Sequence, residues 1–135
     1  MVLSPDGQFL AFNLRDRDTL ESILKIIPSS GAEATEVVRW EKGKIINAAD
    51  WTPDGKALLF AESQFQRGYK FEFWLISTEG GEPQKIGLSM DRVYGLSVHP
   101  DGQHIAFRAG GRIKEIYAMD NFLPLENRKS KGGQK

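Results

Sequence analysis

The 135-residue chain contains no cysteine and only two histidines. The first absence excludes disulfides and thiolate metal sites, and it is compatible with any compartment. Charge of one sign is also missing. Eighteen basic residues offset eighteen acidic ones, so no global field points to nucleic acid or to a membrane surface. No apolar run approaches the roughly 18 residues that a membrane span needs. The opening MVLSPDGQFL lacks a basic segment followed by a long apolar core, so no signal peptide is visible. What remains is an ordinary globular balance, 40% apolar and 27% charged, at a length suited to one domain.

Glycine and proline are arranged with a period. SPDGQFLAF, TPDGKALLF and HPDGQHIAF place Pro5, Pro53 and Pro100 at intervals of 48 and 47 residues. Asp6, Asp54 and Asp101 align with them, as do Gly7, Gly55 and Gly102. Leu10 matches Leu58 and Ile105. Phe12 matches Phe60 and Phe107. Upstream, Leu3 matches Trp51 and Val98. A fixed period of this size indicates tandem structural repeats.

The turn has a physical basis. Proline presets φ at the second position, Asp tolerates the third and bonds the local backbone, and Gly takes the left-handed conformation that closes a short hairpin with a bulge. Ser4 and Thr52 can add a side-chain bond at the first position, for which His99 is a looser substitute. In the second copy the flanking strands fall at about 46–52 and 56–62. The runs after the turn are apolar on both alternating faces, as expected of strands buried between stacked sheets. A third strand is predicted at about 22–27, 70–77 and 112–119. A fourth, shorter one lies near 36–40 and 83–88. DTLESILKII alone could pass for a helix, but its aligned partner KFEFWLIS is aromatic and reads as strand. Four short antiparallel strands per period describe a β-propeller blade. The fold class is therefore all-β: a partial propeller of about three four-stranded antiparallel blades, the first and last incomplete. The blades occupy about 1–45, 46–92 and 93–124, and the basic tail, 125–135, is expected to be disordered.

These strings resemble the WD40-like Pro-Asp-Gly repeat of TolB-type propellers, over about residues 1–124 and with the look of a C-terminal portion. That family comprises periplasmic propellers of a biopolymer-translocation system. Similar repeats occur in dipeptidyl-peptidase-like and tricorn-like proteases and in sensor or scaffold domains of larger bacterial proteins. The resemblance implies a non-catalytic module for protein–protein interaction in a periplasmic or otherwise extracytoplasmic setting. The alternatives are the propeller portion of a serine peptidase whose catalytic domain lies elsewhere, and the sensor domain of a signalling protein. A closed propeller has 4–8 blades, so an open stack of three is expected to leave apolar end faces, filled by remaining blades or by self-association.

Candidate chemistry is sparse. His99 and His104 are read as structural or solvated, because their spacing crosses a hairpin and no acidic partner is evident. GLSVH only brushes the G-x-S-x-G nucleophile pattern at Ser97: His99 replaces the second glycine, and a hairpin follows instead of a helix. The RDRD run, Arg15 to Asp18, is read as a solvated loop. Asp6, Asp54 and Asp101 are structural turn residues along with their prolines and glycines. Trp51 and Trp74 align with core positions. Trp40 has no equivalent and is a candidate partner contact. FQRGYKF is weak evidence for nucleic acid. No catalytic, cofactor-binding or metal-ligating residue is assigned, and no cofactor, nucleic acid or membrane span is expected.

Overall fold

A computed structural model describes residues 1–64, 70–110 and 115–124. Among them are eleven strands and no helix. Sheet one contains β1 (Val2–Leu3), β2 (Phe9–Arg15), β3 (Ser22–Pro28) and β4 (Thr35–Trp40). Sheet two contains β5 (Lys44–Trp51), β6 (Ala57–Gln64), β7 (Lys70–Ser77) and β8 (Gln84–Asp91). Sheet three contains β9 (Gly95–Val98), β10 (His104–Ala109) and β11 (Glu115–Asp120). Each sheet is an antiparallel meander in chain order, the topology of a blade in a partial β-propeller. The helix-like run DTLESILKII ends in β3, whose Leu24 and Ile26 pack into the core beside Phe9.

The apolar pattern of β6 is explained by stacking. Leu58 and Phe60 face sheet one, and Leu59 and Ala61 face sheet three. All four are fully buried. A side chain of this size adds about 1.5–3 kcal/mol when removed from water. One core, between sheets one and two, gathers Ala11, Leu24, Ile46, Trp51, Leu58, Phe60 and Ile76. The other, between sheets two and three, gathers Leu59, Phe73, Leu75, Val93, Ile105 and Phe107. Sheet two is thus buried on both sides.

Three bulges shift strand limits from those the sequence suggests. β5 starts at Lys44, two residues earlier than expected, and its ladder skips Asn47. The freed Asn47 amide donates to the Val93 carbonyl at 2.5 Å, tying sheet two to the connection that leads into sheet three. β8 runs three residues past its expected end because Gly87, at φ 81°, carries the strand through a bulge opposite Glu72 and Trp74. In β4, Val37 is the extra residue. β11 starts at Glu115, and residues 111–114 lie outside the described residues. So do the tail, 125–135, and most of FQRGYKF, including Tyr69.

Candidate functional site

The three Pro-Asp-Gly hairpins join the first and second strands of their sheets. All have the same backbone. Gly7, Gly55 and Gly102 donate to the carbonyls of Ser4, Thr52 and His99, each at 2.9 Å. Their φ angles are 73°, 69° and 66°, a region that L side chains rarely adopt. Asp6, Asp54 and Asp101 each accept the amide two residues on, at 3.0, 3.0 and 2.8 Å.

The side chains differ. In sheet one the Ser4 hydroxyl donates to Asp6 at 2.6 Å and accepts the Phe9 amide at 2.9 Å. Thr52 does the same with Asp54 at 2.7 Å and Ala57 at 3.0 Å. The Ser4 hydroxyl, and then the Gln8 amide, hold the Asp6 carboxyl below the usual carboxylate range. Sheet three lacks the hydroxyl. There the His99 ring accepts the Asp101 amide at 3.2 Å, and Asp101 takes the His104 amide at 3.2 Å. The Gln103 amide first, and the His104 ring after it, push the Asp101 carboxyl far down.

Between the hairpins of sheets two and three lies a cleft of about 560 Å³. Thr52, Asp54, Lys56 and Ala57 form one wall, and Gly102 and Gln103 the other. Leu75 and Leu123 give it an apolar floor, and Glu82 and Asn121 a polar edge. The turns that frame it are braced by the bonds above. A cleft of this size, with fixed turn backbone and both apolar and charged groups, can receive a peptide segment or a small polar ligand.

The other candidate residues are distributed as follows. Ser97 is exposed in the middle of β9, paired with Ala106, and no elbow surrounds it. In RDRD, Asp16 accepts the amides of Asp18 and Thr19 at 2.8 and 2.9 Å, which closes the loop between β2 and β3. Trp51 is buried and donates to the Val2 carbonyl at 3.1 Å. Trp40 is half-buried and packs on Trp74 and Phe60, with ring centroids 5.2 and 6.0 Å away. It therefore joins sheet one to sheet two. Two acidic residues escape the sequence reading. Asp120 meets the His104 ring at 3.1 Å. Glu62 is 2% exposed and accepts the Trp74 indole at 3.2 Å. No motif marks either residue, since only the folded register brings them to their partners.

No family model matches the chain, and no curated protein matches it at a significant level. Solved structures do match. TolB from Acinetobacter baumannii superposes with a TM-score of 0.67 at 26% identity, over 84% of this chain and 28% of that one. A protein described as TolB from Agrobacterium tumefaciens gives a TM-score of 0.71 at 16% identity, over 89% of this chain and 44% of that one. The β-propeller domain of the Trilobed protease from Pyrococcus furiosus gives 0.59 at 18% identity, over 85% and 36%. The chain has the architecture of TolB-type WD40-like propellers and spans less than half the length of each of these structures.

Proposed function

We propose that the chain is a non-catalytic propeller module that binds a protein partner at the hairpin end, in a TolB-like role and an extracytoplasmic compartment. The cleft between the hairpins of sheets two and three carries this reading. It is framed by braced turns, it offers backbone and charged groups beside an apolar floor, and it suits an extended segment of another protein. Likeness to two TolB structures supports the role. Overall neutrality and weak basic clustering speak against nucleic acid, and among the described residues no helix is long and apolar enough to cross a membrane.

A site-specific experiment tests the reading. A photo-crosslinker at position 103, on the cleft wall, should give a discrete adduct with a periplasmic protein fraction. The same group at the exposed Lys42, in the connection between sheets one and two, should not. Equal labelling from both positions, or none from 103, overturns the proposal.

A second reading is supported by the protease propeller among the matches. In it, these blades gate a serine peptidase whose catalytic residues lie on other segments of the protein. The neighbouring open reading frame separates the two readings: a hydrolase domain favours the second. In both, the chain itself leaves chromogenic peptide and ester substrates intact. Turnover lost on Ser97→Ala would sink that expectation.

A further inference from the structure

We propose that His99, Asp101 and His104 form a binding site for a divalent transition ion of the zinc type, with Asp120 taking the N–H of the other His104 ring nitrogen and a water completing the coordination. The third hairpin shares the backbone of the other two but replaces their hydroxyl and apolar side chains with two imidazoles. Where sheets one and two have Ser4 with Phe9 and Thr52 with Ala57, sheet three has His99 with His104. The other two turns close on the same backbone bonds without a ring, and His99 Nδ1, which here takes the Asp101 amide at 3.2 Å, would exchange that bond for the ion. One ligand atom from each of His99, Asp101 and His104 lies within 4.8 Å of the others. The Asp101 Oδ2 oxygen is 3.1 Å from His99 Nδ1 and 2.5 Å from His104 Nδ1. On the far side, His104 Nε2 is 3.1 Å from Asp120 Oδ1.

A tetrahedral ion with bonds of about 2.0–2.2 Å holds its ligand atoms roughly 3.3–3.5 Å apart. The cluster's ligand atoms, 2.5 Å to at most 4.8 Å apart, bracket that spacing, and rotations of the exposed rings can bring them to it. Two imidazoles with a carboxylate oxygen suit zinc, copper or nickel better than magnesium or calcium, which prefer all-oxygen cages. Asp101 is fixed in turn by the Gln103 amide on its other oxygen, which orients the ligand toward the rings. The two rings are 63% and 47% exposed, so an ion has direct access. Gly102 and Gln103, between the ligands, form a wall of the cleft. A bound ion would stand on its rim.

The chain's composition makes the test clean. These are its only two histidines, and it has no cysteine. The remote-nitrogen modulation of a copper-bound imidazole, or zinc-induced shifts of imidazole signals, can therefore arise only here. The untagged chain is titrated with zinc alone, followed by calorimetry and ring signals. One equivalent should bind and shift both rings. His99→Ser restores the sheet-one residue at this position, and His104→Phe does likewise, so both should keep the unfolding temperature. Each should weaken zinc binding roughly tenfold or more. Unmoved ring signals at about 1 mM zinc, or folded variants that bind as tightly as the parent, overturn the site.

Discussion

The two ends of the stack are unlike. Cross-strand partners share a face of a pleated sheet, so the pairing registers show what each end presents. Phe9 and Ala11 belong to the core between sheets one and two, and the Asn13 amide reaches the Ile46 carbonyl of sheet two at 2.9 Å. The opposite face of sheet one therefore carries Leu10, Phe12 and Leu14, with Leu3 and Ile27 beside Leu10 and Lys25 beside Phe12. Leu3 is 53% exposed. In sheet three, Ile105, Phe107 and Ala109 point to sheet two, and the residues between them point away. The outward set is His104, Ala106 and Arg108, joined by Ser97, Ala118 and Asp120. Ile116, 83% exposed, is its one large apolar member. Of the two apolar ends expected from an open stack, sheet one has its end and sheet three does not. Sheet three alternates like a sheet with one wet face, and sheet one resembles sheet two, which has cover on both sides. Sheet one carries an interior pattern on a face where Ile23 is buried but Leu10 and Phe12 are only half-buried and Leu3 and Leu14 are exposed.

The largest expected effect tests the wet-faced end. Phe107 is buried and lies 5.0 Å from Phe73 between ring centroids. Phe107→Ala should cost about 3–5 kcal/mol in urea unfolding. Ile116→Ala, on the outward face of the same sheet, should fall within about 0.5 kcal/mol of zero. Comparable losses at both positions would mean that sheet three also has a covered outer face.

A smaller effect is expected at the other end, and it is read in assembly. The chain at rising concentration should sediment as more than a monomer, because the apolar Leu10–Phe12 face seeks cover from a second copy. Phe12→Asp should abolish the concentration dependence, while Ala106→Asp on sheet three should leave it unchanged. A chain that stays monomeric throughout, or a Phe12→Asp variant that still associates, would break the contrast between the ends.

The repeat and the all-β architecture are legible in the sequence because local rules dominate there. Pro5, Pro53 and Pro100 impose turns at fixed intervals, and both-faced apolar runs such as that around Leu58 and Phe60 require stacking. Strand limits are less legible. Asn47 and Gly87 sit in bulges, where one extra residue breaks the period of two. The His99–Asp101–His104 grouping is legible only once the turn geometry is known. Asp101 looks committed to its turn, yet one of its oxygens is directed at both rings. Asp120 meets His104 through the β10–β11 register, and register between strands leaves no local signature. Trp40 lacks an equivalent in the other copies, so periodicity could not place it between sheets.

Charge sharpens the comparison with the smallest effect. Arg108 and Asp120 lie on an outer face, where water solvates them. Glu62 lies on the face of sheet two turned toward sheet one, with one oxygen on the Trp74 indole and Oε1 without a hydrogen-bond partner among the described residues. Desolvation is the main influence on its carboxyl and raises its pKa above the ordinary glutamate value, against the lowering by Trp74. The folded state then holds this proton more tightly than the unfolded chain. Its stabilising contribution is complete below the unfolded-state pKa, near 4.3, and is lost as pH rises through the folded-state pKa. Glu62→Gln removes the titration. An amide at this position carries a constant cost of its own, so the informative quantity is the change in the Tm difference with pH. Relative to the parent, the variant should gain in Tm as pH rises from 4 to 7. A difference that stays flat over that interval would mean that water reaches Glu62 and that the junction tolerates charge as an outer face does.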